Sequence, residues 1–155
     1  FLMLNSDNYY PLSALRDLRQ VGGAGVVGFD RASLISGGNI PAERVEKFAI
    51  VRPDAQGNLE RIIEKPDAAT LASLGDNLLV GMNCWSFSPA IFKACAAIGP
   101  SPRGEYEITD AVQYATDRLG ERFKVIVSRE AVLDLSSRTD IASVTKILAG
   151  SPVNL

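Results

Sequence analysis

The chain has 155 residues, 46% of them hydrophobic and 22% charged, with a net charge of −2. This balance excludes a disordered chain and is typical of a globular domain that buries a sizeable core. A charge so close to zero offers no basic surface for nucleic acid, and no apolar run is long enough to span a membrane, so neither partner is expected. We predict a single domain over residues 1–155.

The first half of the chain alternates short apolar runs with helical patterns. The run "FLML" stops at turn-forming residues that include Asp7, which predicts a buried strand. Pro11 can take the first helical position, and Leu12, Leu15 and Leu18 follow at helical spacing. The pattern then predicts a strand at "AGVVGFD", a short helix at "RASLISGGN" and a β-hairpin formed by "RVEKFAIVRP" and "LERIIEKP".

The second half continues this alternation. It predicts a helix at "DAATLASLG", a long strand at "NLLVGMNCWSFS" and a helix at "PAIFKACAAIG". A further helix is predicted at "ITDAVQYATDRLG", with Thr109 as its candidate cap and Asp110 in its first turn. Two short strands, "RFKVIVS" and "AVLDL", precede a last helix at "RTDIASVTKILAG". Strands that alternate with helices, plus one hairpin, predict an α/β fold with a mixed sheet.

The residue types limit the possible chemistry. Histidine is absent, which excludes Ser-His-Asp and Cys-His triads and most zinc sites. Cys84 and Cys95 lie in apolar surroundings and are predicted to be buried thiols in a reducing, cytoplasmic compartment, with a disulfide as the alternative. The glycine-rich run from Gly23 to Gly28 matches G-x-G-x-x-G but has a helix before it and a strand after it. This order is the reverse of a dinucleotide-binding loop, so we do not interpret it as one.

Charged residues stand where several predicted strands end. Asp7 follows the first apolar run, and Glu64 and Lys65 end the second strand of the hairpin before Pro66. A carboxylate accepts hydrogen bonds from sugar hydroxyls, and a neighbouring ammonium can bind a phosphate. The structural alternatives are an Asx-rich turn at Asp7 and a solvated ion pair at the end of the hairpin.

Two further sites complete this inventory. Arg103 follows a proline-stiffened loop and could hold a phosphate bidentately, or it could pair at the surface with Glu105 or Glu107. Asp134 ends another apolar run, as Asp7 does, and could instead be a turn or capping residue. Two aspartates at neighbouring strand ends suit Mg²⁺. Together these groups favour phosphoryl or nucleotidyl transfer, in which positioning and charge neutralisation dominate.

The order of these stretches resembles the sugar-1-phosphate nucleotidyltransferases, also called NDP-sugar pyrophosphorylases. "LMLNSDNYY" resembles their strand ending in G-D-N, and "KFAIVRPDAQGNLERIIEKP" resembles their F-G-V-V…G…I-x-E-K-P hairpin. "NCWSFSPAIF" is similar to N-x-G-I-Y-x-F-x-P-x-I-F, and "RGEYEITDAV" to R-G-E-x-E-I-T-D-A. "LDLSSRTDIASV" resembles W-x-D-x-G-T-x-E-D-L. The resemblance extends over nearly the whole chain.

The resemblance implies a fold, an activity and a set of roles. The implied fold is a mixed, mostly parallel Rossmann-like sheet flanked by helices, with a hairpin insertion and an incomplete N-terminal side. The implied activity is formation of an NDP-sugar and pyrophosphate from a nucleoside triphosphate and a sugar 1-phosphate, with Mg²⁺ as cofactor and a homo-oligomer as a possible assembly. By resemblance, Mg²⁺ binding falls to Asp7 and Asp134, sugar binding to Glu64 and Asn83, and sugar-phosphate binding with a catalytic role to Lys65 and Arg103.

Departures from the family pattern lead to a specific hypothesis. Ala49 replaces the glycine of F-G-V-V, Ser136 stands where a glycine is expected after Asp134, and Leu133 falls where the tryptophan segment would be. The family's G-x-G-x-R…P-K segment, which binds the nucleotide, has no counterpart in the chain. We therefore expect the sugar-phosphate-binding portion of a nucleotidyltransferase, inactive alone. The alternatives are a non-catalytic sugar-binding or regulatory subunit of this fold and a metal-dependent glycosyltransferase. The last usually presents D-x-D, whereas "NSDN" has one aspartate.

Overall fold

A computed structural model describes residues 1–75 and 77–150. The helices and strands follow one another in an order close to that predicted. They are β1 (Leu2–Met3), β2 (Asn8–Tyr9), α1 (Leu12–Gln20), β3 (Gly25–Asp30), α2 (Arg31–Gly37), α3 (Ala42–Val45), β4 (Ala49–Pro53), β5 (Leu59–Ile63), α4 (Ala68–Leu74), β6 (Leu79–Ser86), α5 (Ala90–Ala97), α6 (Ile108–Leu119), β7 (Lys124–Ser128), β8 (Leu133–Asp134) and α7 (Asp140–Leu148). The predicted strand at "AGVVGFD" is β3, preceded by α1, which confirms that the glycine-rich run is not a phosphate loop.

The main sheet has the strand order β5-β4-β6-β3-β7, and β1 pairs with β6 outside this path. The sheet is mixed, as predicted. The prediction that it is mostly parallel is wrong for the described residues, because there only β3 and β7 run parallel. The hairpin makes β4 and β5 antiparallel, and β6 runs against both β3 and β4. Hydrophobic periodicity reports which residues are buried, but it carries no information on strand direction.

Alternate residues of the strands face two separate hydrophobic layers. In β3, Val26 packs on the side of α5 and α6, whereas Val27 and Phe29 pack on the side of α1 and α2. In β6, Trp85 lies in the first layer and Cys84 in the second. Because side chains alternate across a strand, a sheet covered by helices on both faces produces this pattern. The fold class is therefore α/β, with a mixed sheet flanked by helices.

The hairpin turn depends on Asp54. Its carboxylate accepts hydrogen bonds from the backbone N–H groups of Gln56 at 2.9 Å and Asn58 at 2.8 Å. Gly57 has a φ of +76°, a conformation that glycine adopts without a steric penalty. This turn fixes the register of β5 against β4, and the register in turn sets where Glu64 and Lys65 emerge from the sheet.

Three local predictions need correction. The first apolar run is a short and partly exposed strand, because β1 pairs only with the end of β6 and leaves Phe1 61% exposed. Thr109 does not cap α6, since Glu107 precedes the helix and Thr109 lies inside it. Cys84 is buried, and burial raises its pKa to about 12, but Cys95 is exposed on α5; both are free thiols. Among the described residues no helix combines the length and the apolar character needed to cross a bilayer.

Candidate functional site

The hairpin and the long strand β6 bring predicted site residues to the N-terminal end of β4. Ile50 of β4 pairs with Ile63 on one side and with Val80 on the other. Because β4 is antiparallel to both neighbours, β5 and β6 run in the same direction. Glu64 and Lys65, which follow β5, therefore lie on one side of the start of β4. The β6 residues up to Asn83 lie on its other side. The two flanks are separated by roughly 10 Å, the width of two strand spacings.

Glu64 forms the centre of a charged cluster at this end of β4. Its carboxylate accepts a hydrogen bond of 3.2 Å from the hydroxyl of Thr109, in the first turn of α6. Burial raises the pKa of Glu64, and the negative charge of Glu107 acts in the same direction. The Thr109 hydrogen bond and the positive charges of Lys65 and Arg103 lower it. Lys65 and Arg103 are thus near enough to influence the charge of Glu64, and their roles in sugar-phosphate binding stay predictions. A half-buried carboxylate with few donors around it is suited to accept hydrogen bonds from a polar ligand.

Lys65 and Asn83 share an uncommon backbone conformation. Lys65 has a φ of +43° and Asn83 a φ of +51°, and they are the non-glycine residues with positive φ in the described chain. Residues other than glycine seldom adopt such angles, and strained backbone of this kind concentrates at binding and active sites. The two positive φ angles mark the segment after β5 and the middle of β6, beside the start of β4, as a candidate ligand site.

Arg103 pairs with glutamates of its own loop, as the structural alternative predicted. Its Nη2 donates to the carboxylate of Glu107, and its Nε lies 3.8 Å from Oε2 of Glu105. The Arg103 side chain is 39% exposed, so these partners hold it at the surface without burying it. An exposed arginine held by carboxylates can exchange one of them for a phosphate, which offers the same bidentate geometry.

The register of the β6 motif places Asn83 at a different position of the family pattern. When the phenylalanine and proline of N-x-G-I-Y-x-F-x-P are placed on Phe87 and Pro89, the glycine of the pattern falls on Asn83 and its asparagine falls on Gly81. The positive φ of Asn83 agrees with a position where the pattern has glycine. Its side-chain oxygen accepts a 3.3 Å hydrogen bond from Nε1 of Trp85. A sugar contact by Asn83 therefore loses the support of the motif and stays a prediction from position alone.

The substitution at Ala49 is accommodated by its neighbour across the ladder. Ala49 pairs with Gly81, and a Cβ built on Gly81 would lie 3.7 Å from the Ala49 methyl group. The methyl group of Ala49 thus packs over a residue that has no side chain, and it is itself buried. The methyl group of Ala49 is therefore part of the core.

The second predicted pair, Asp7 and Asp134, lies on a separate two-stranded ribbon formed by β2 and β8. Asn8 is the residue directly opposite Asp134, and the Asn8 amide donates to Oδ1 of Asp134 at 2.9 Å. Asp7 precedes β2 in an exposed turn, and its carbonyl oxygen accepts from the N–H of Leu135 at 2.9 Å. Asp134 thus ends β8 as predicted, whereas Asp7 lies in the turn before β2 and not at the end of the first strand, and the side chain facing Asp134 is that of Asn8.

Both carboxylate oxygens of Asp134 are already engaged by protein groups. Oδ1 accepts from Asn8 and from the hydroxyl of Ser136 at 2.8 Å, and Oδ2 accepts from Nη1 of Arg44 at 2.8 Å. Ser136, the departure from the family's glycine, thus supplies a donor to this carboxylate. Within the described residues there is no cluster of three metal-ligating side chains and no buried side-chain N or O atom without a partner. In this arrangement Asp7 and Asp134 do not fit a Mg²⁺ site.

Tyr10 anchors the loop that carries Asp7. Its buried hydroxyl donates to the carbonyl oxygen of Met82 at 2.6 Å and accepts from the N–H of Asn5 at 3.2 Å. Burial raises the pKa of this phenol well above its ordinary value, so it stays a donor. The bond connects the loop to β6 one residue before Asn83.

Removal of the Thr109 hydroxyl should raise the pKa of Glu64 further. The hydrogen bond from Thr109 is the largest effect that lowers this pKa, and a valine keeps the shape of the side chain without the donor. We expect a higher Glu64 pKa in Thr109→Val, measured by NMR titration of the carboxyl carbon. Thr116→Val is the matched control, because Thr116 lies on the same helix and donates to the carbonyl oxygen of Val112. An unchanged or lowered Glu64 pKa in Thr109→Val would contradict this contact.

Comparison with known proteins decides the family. Residues 1–148 match the family model described as Nucleotidyl transferase. The chain belongs to this nucleotidyltransferase family. Its members that match this chain are sugar-1-phosphate nucleotidyltransferases, so the family is one of enzymes.

Individual relatives of this nucleotidyltransferase agree with the family match. A glucose-1-phosphate thymidylyltransferase of Streptomyces griseus is 36% identical over 123 residues, which are 68% of this chain and 34% of the relative. The low-salt glycan biosynthesis nucleotidyltransferase Agl11 of Haloferax volcanii is 47% identical over 72 residues, 46% of this chain and 18% of the relative. A UDP-glucose pyrophosphorylase solved with UDP-glucose shares the fold with a TM-score of 0.64 at 18% identity, over 97% of this chain and 53% of that one. The chain thus spans about a third or less of these curated relatives.

The structure also shows functional candidates that the sequence did not indicate. Arg44, in the short helix α3, contacts Asp134 across 90 positions of the chain. Asn39 pairs with the backbone of Asp134 through its side-chain amide, donating to the carbonyl oxygen at 2.7 Å and accepting from the N–H at 2.8 Å. No local pattern marks either residue. Thr109 had a signal in the E-I-T-D segment, but we interpreted it as a helix cap.

Proposed function

We propose that this nucleotidyltransferase chain provides the sugar-phosphate site of an enzyme that forms an NDP-sugar. In the whole protein, an oxygen of the sugar 1-phosphate would attack the α-phosphorus of a nucleoside triphosphate. The new O–P bond would form as the bond to the β-phosphate oxygen breaks and pyrophosphate leaves. This reaction needs in-line positioning and neutralisation of charge more than acid–base chemistry, which suits a chain without histidine.

The observation that carries the proposal is the charged cluster around Glu64 at the N-terminal end of β4. Lys65 and Arg103 are cations beside the half-buried carboxylate of Glu64, and Lys65 has a strained backbone. A sugar phosphate has the complementary groups, because its hydroxyls donate to a carboxylate and its phosphate accepts from an ammonium and a guanidinium. In this proposal Glu64 binds sugar hydroxyls, Lys65 and Arg103 hold the phosphate, and Asn83 lies on the opposite flank.

Metal binding is a separate part of the proposed reaction. A divalent cation would supply charge neutralisation on the phosphates, and Asp7 and Asp134 are its predicted ligands. Since each oxygen of Asp134 already accepts from a protein donor and Arg44 stands beside it, we assign no step to the metal. The same contacts favour a second candidate, a non-catalytic sugar-phosphate-binding subunit of this fold. A carboxylate held by protein donors suits a subunit that binds a sugar phosphate without transferring a nucleotidyl group.

Calorimetry with a panel of hexose 1-phosphates tests the site. We expect Lys65→Met and Arg103→Met each to weaken binding at least tenfold, because a hydrogen bond to a charged group contributes about 1.5–3 kcal/mol. Arg52→Met is the matched control, since Arg52 is also an exposed arginine paired with a glutamate, at 3.1 Å from Glu60. Lys93→Met serves as the control for an exposed lysine.

The outcomes separate the candidates. Binding of a hexose 1-phosphate but not of the free sugar, lost in the two site variants, would support the proposed site. Pyrophosphate release from a nucleoside triphosphate in the same mixture would favour the enzyme, and binding without release would favour the non-catalytic subunit. If no hexose 1-phosphate binds, or if Lys65→Met and Arg103→Met bind like the wild type, the proposed site is wrong.

A further inference from the structure

Arg44 joins two buried carboxylates from different parts of the chain. Its Nη1 lies 2.8 Å from Oδ2 of Asp134, and its Nη2 lies 2.8 Å from Oδ1 of Asp140. Nη1 also donates to Oδ2 of Asp140 at 3.0 Å, so the pair with Asp140 is bidentate. The aspartate side chains are 3% and 7% exposed. Two anions buried this closely require a positive partner, and Arg44 is the cation that contacts both.

Protein donors take up most of the accepting capacity of Asp134. A carboxylate has about four lone-pair directions, and three of them are used by Asn8, by Arg44 and by the hydroxyl of Ser136, whose single proton lies within reach of both oxygens. Mg²⁺ binds oxygen directly at about 2.0–2.1 Å and needs a lone pair for itself. A dication at Asp134 would also stand next to the guanidinium, in a site where repulsion is weakly screened.

We propose that the Arg44 guanidinium and a divalent metal ion are mutually exclusive partners of Asp134, so that Arg44 sets the metal affinity of this site. The Arg44 side chain is 26% exposed, whereas both aspartates are buried, so Arg44 is the member of the group with a path to solvent. When Arg44 turns outward, Oδ2 of Asp134 is free to bind a metal ion.

Binding of Mn²⁺ alone tests this competition, with no substrate and no turnover. Mn²⁺ is a spectroscopic probe for Mg²⁺ sites, and free Mn²⁺ can be counted by electron paramagnetic resonance. We expect Arg44→Met to bind one Mn²⁺ at least tenfold more tightly than the wild-type chain, and addition of Asp134→Asn to this variant should abolish the gain. The matched control is Arg31→Met. Arg31, the first residue of α2, forms an exposed ion pair of 3.0 Å with Glu46, which directly follows α3. This control should leave Mn²⁺ affinity unchanged.

A second readout keeps the test decisive if Arg44→Met is unstable. Mn²⁺ should raise the melting temperature of Arg44→Met more than that of the wild type, since the metal replaces the missing cation. Arg44→Lys retains the charge but lacks the planar fork that reaches both aspartates, so its Mn²⁺ affinity should be intermediate. Equal affinity in the wild type, Arg44→Lys and Arg44→Met would overturn the proposal. So would tight Mn²⁺ binding by Arg44→Met that persists after Asp134→Asn. Because no sugar phosphate is present, failure here leaves the proposed sugar-phosphate site untouched.

Discussion

Trp85→Ala is expected to lower the free energy of unfolding by about 3–5 kcal/mol, the usual cost of removing a large buried aromatic side chain. Trp85 is 1% exposed and stacks on Phe87 with a centroid distance of 5.7 Å and an interplanar angle of 11°. It also meets Phe123 edge to face at 6.2 Å. Alanine would leave a cavity at the centre of the layer between the sheet and helices α5 and α6. Urea denaturation followed by circular dichroism measures the loss.

Two further variants make this result specific. Phe92→Ala removes an aromatic residue that is 65% exposed and is expected to cost less than about 1 kcal/mol. Trp85→Phe keeps much of the packing but removes the N–H that holds the Asn83 side chain. We expect it to be more stable than Trp85→Ala. A loss in Trp85→Ala no larger than that in Phe92→Ala would contradict the central position of Trp85 in the core.

Asp140→Ala is expected to cost about 3 kcal/mol in the free energy of unfolding at pH 7. Loss of one partner from a buried ion pair typically costs about 3–5 kcal/mol. The lower end applies because Arg44 keeps Asp134 as a partner at 2.8 Å. The variant also removes the acceptor of the Ser137 N–H at the start of α7. Asp110→Ala is the matched control, since Asp110 is an exposed aspartate in the first turn of α6, and its loss should cost at most about 1 kcal/mol.

The pH dependence gives an independent check on Asp140. Hydrogen bonds from Arg44 hold the pKa of Asp140 well below its ordinary value of 3.8, and Ser137 adds to the effect. A carboxyl whose pKa is lowered by folding stabilises the protein above its unfolded pKa, and that contribution is lost as the pH falls through the folded pKa. The difference in unfolding free energy between the wild type and Asp140→Ala should therefore be constant from pH 5 to 8. It should shrink below about pH 3.8. A difference that grows on acidification would mean that Arg44 does not hold an ionised Asp140.

The Arg44 network and the cluster at Glu64 are different in kind, and this bears on function. Glu64 has one hydrogen bond from a protein side chain and stands beside exposed cations, so it retains capacity for a ligand. The carboxylate oxygens of Asp134 and Asp140 are instead each engaged by protein donors. We therefore expect sugar-phosphate binding to be separable from metal binding, and Lys65→Met should leave Mn²⁺ affinity as it is in the wild type.

The sequence by itself determined the local structure and the family. Apolar periodicity, proline and glycine positions and the Asp54–Asn58 turn located most helices and strands, because these signals act within a few residues. The motif E-K-P followed by R-G-E-x-E-I-T-D was specific enough to indicate the family, which the match over residues 1–148 confirms. It also indicated that Glu64, Lys65 and Arg103 act together at one ligand site, which stays a prediction.

Only the tertiary structure decided strand direction and the partners of the charged residues. Whether a strand runs parallel or antiparallel depends on the path of the chain between strands, which no single strand encodes. A lone aspartate at a strand end has the same local pattern whether it awaits a metal or is held by an arginine. For Asp134 the difference lies in Arg44, 90 residues away, which packing brings within 2.8 Å. No local pattern signals this contact, because two opposite charges far apart in the chain become partners only when the fold places them side by side.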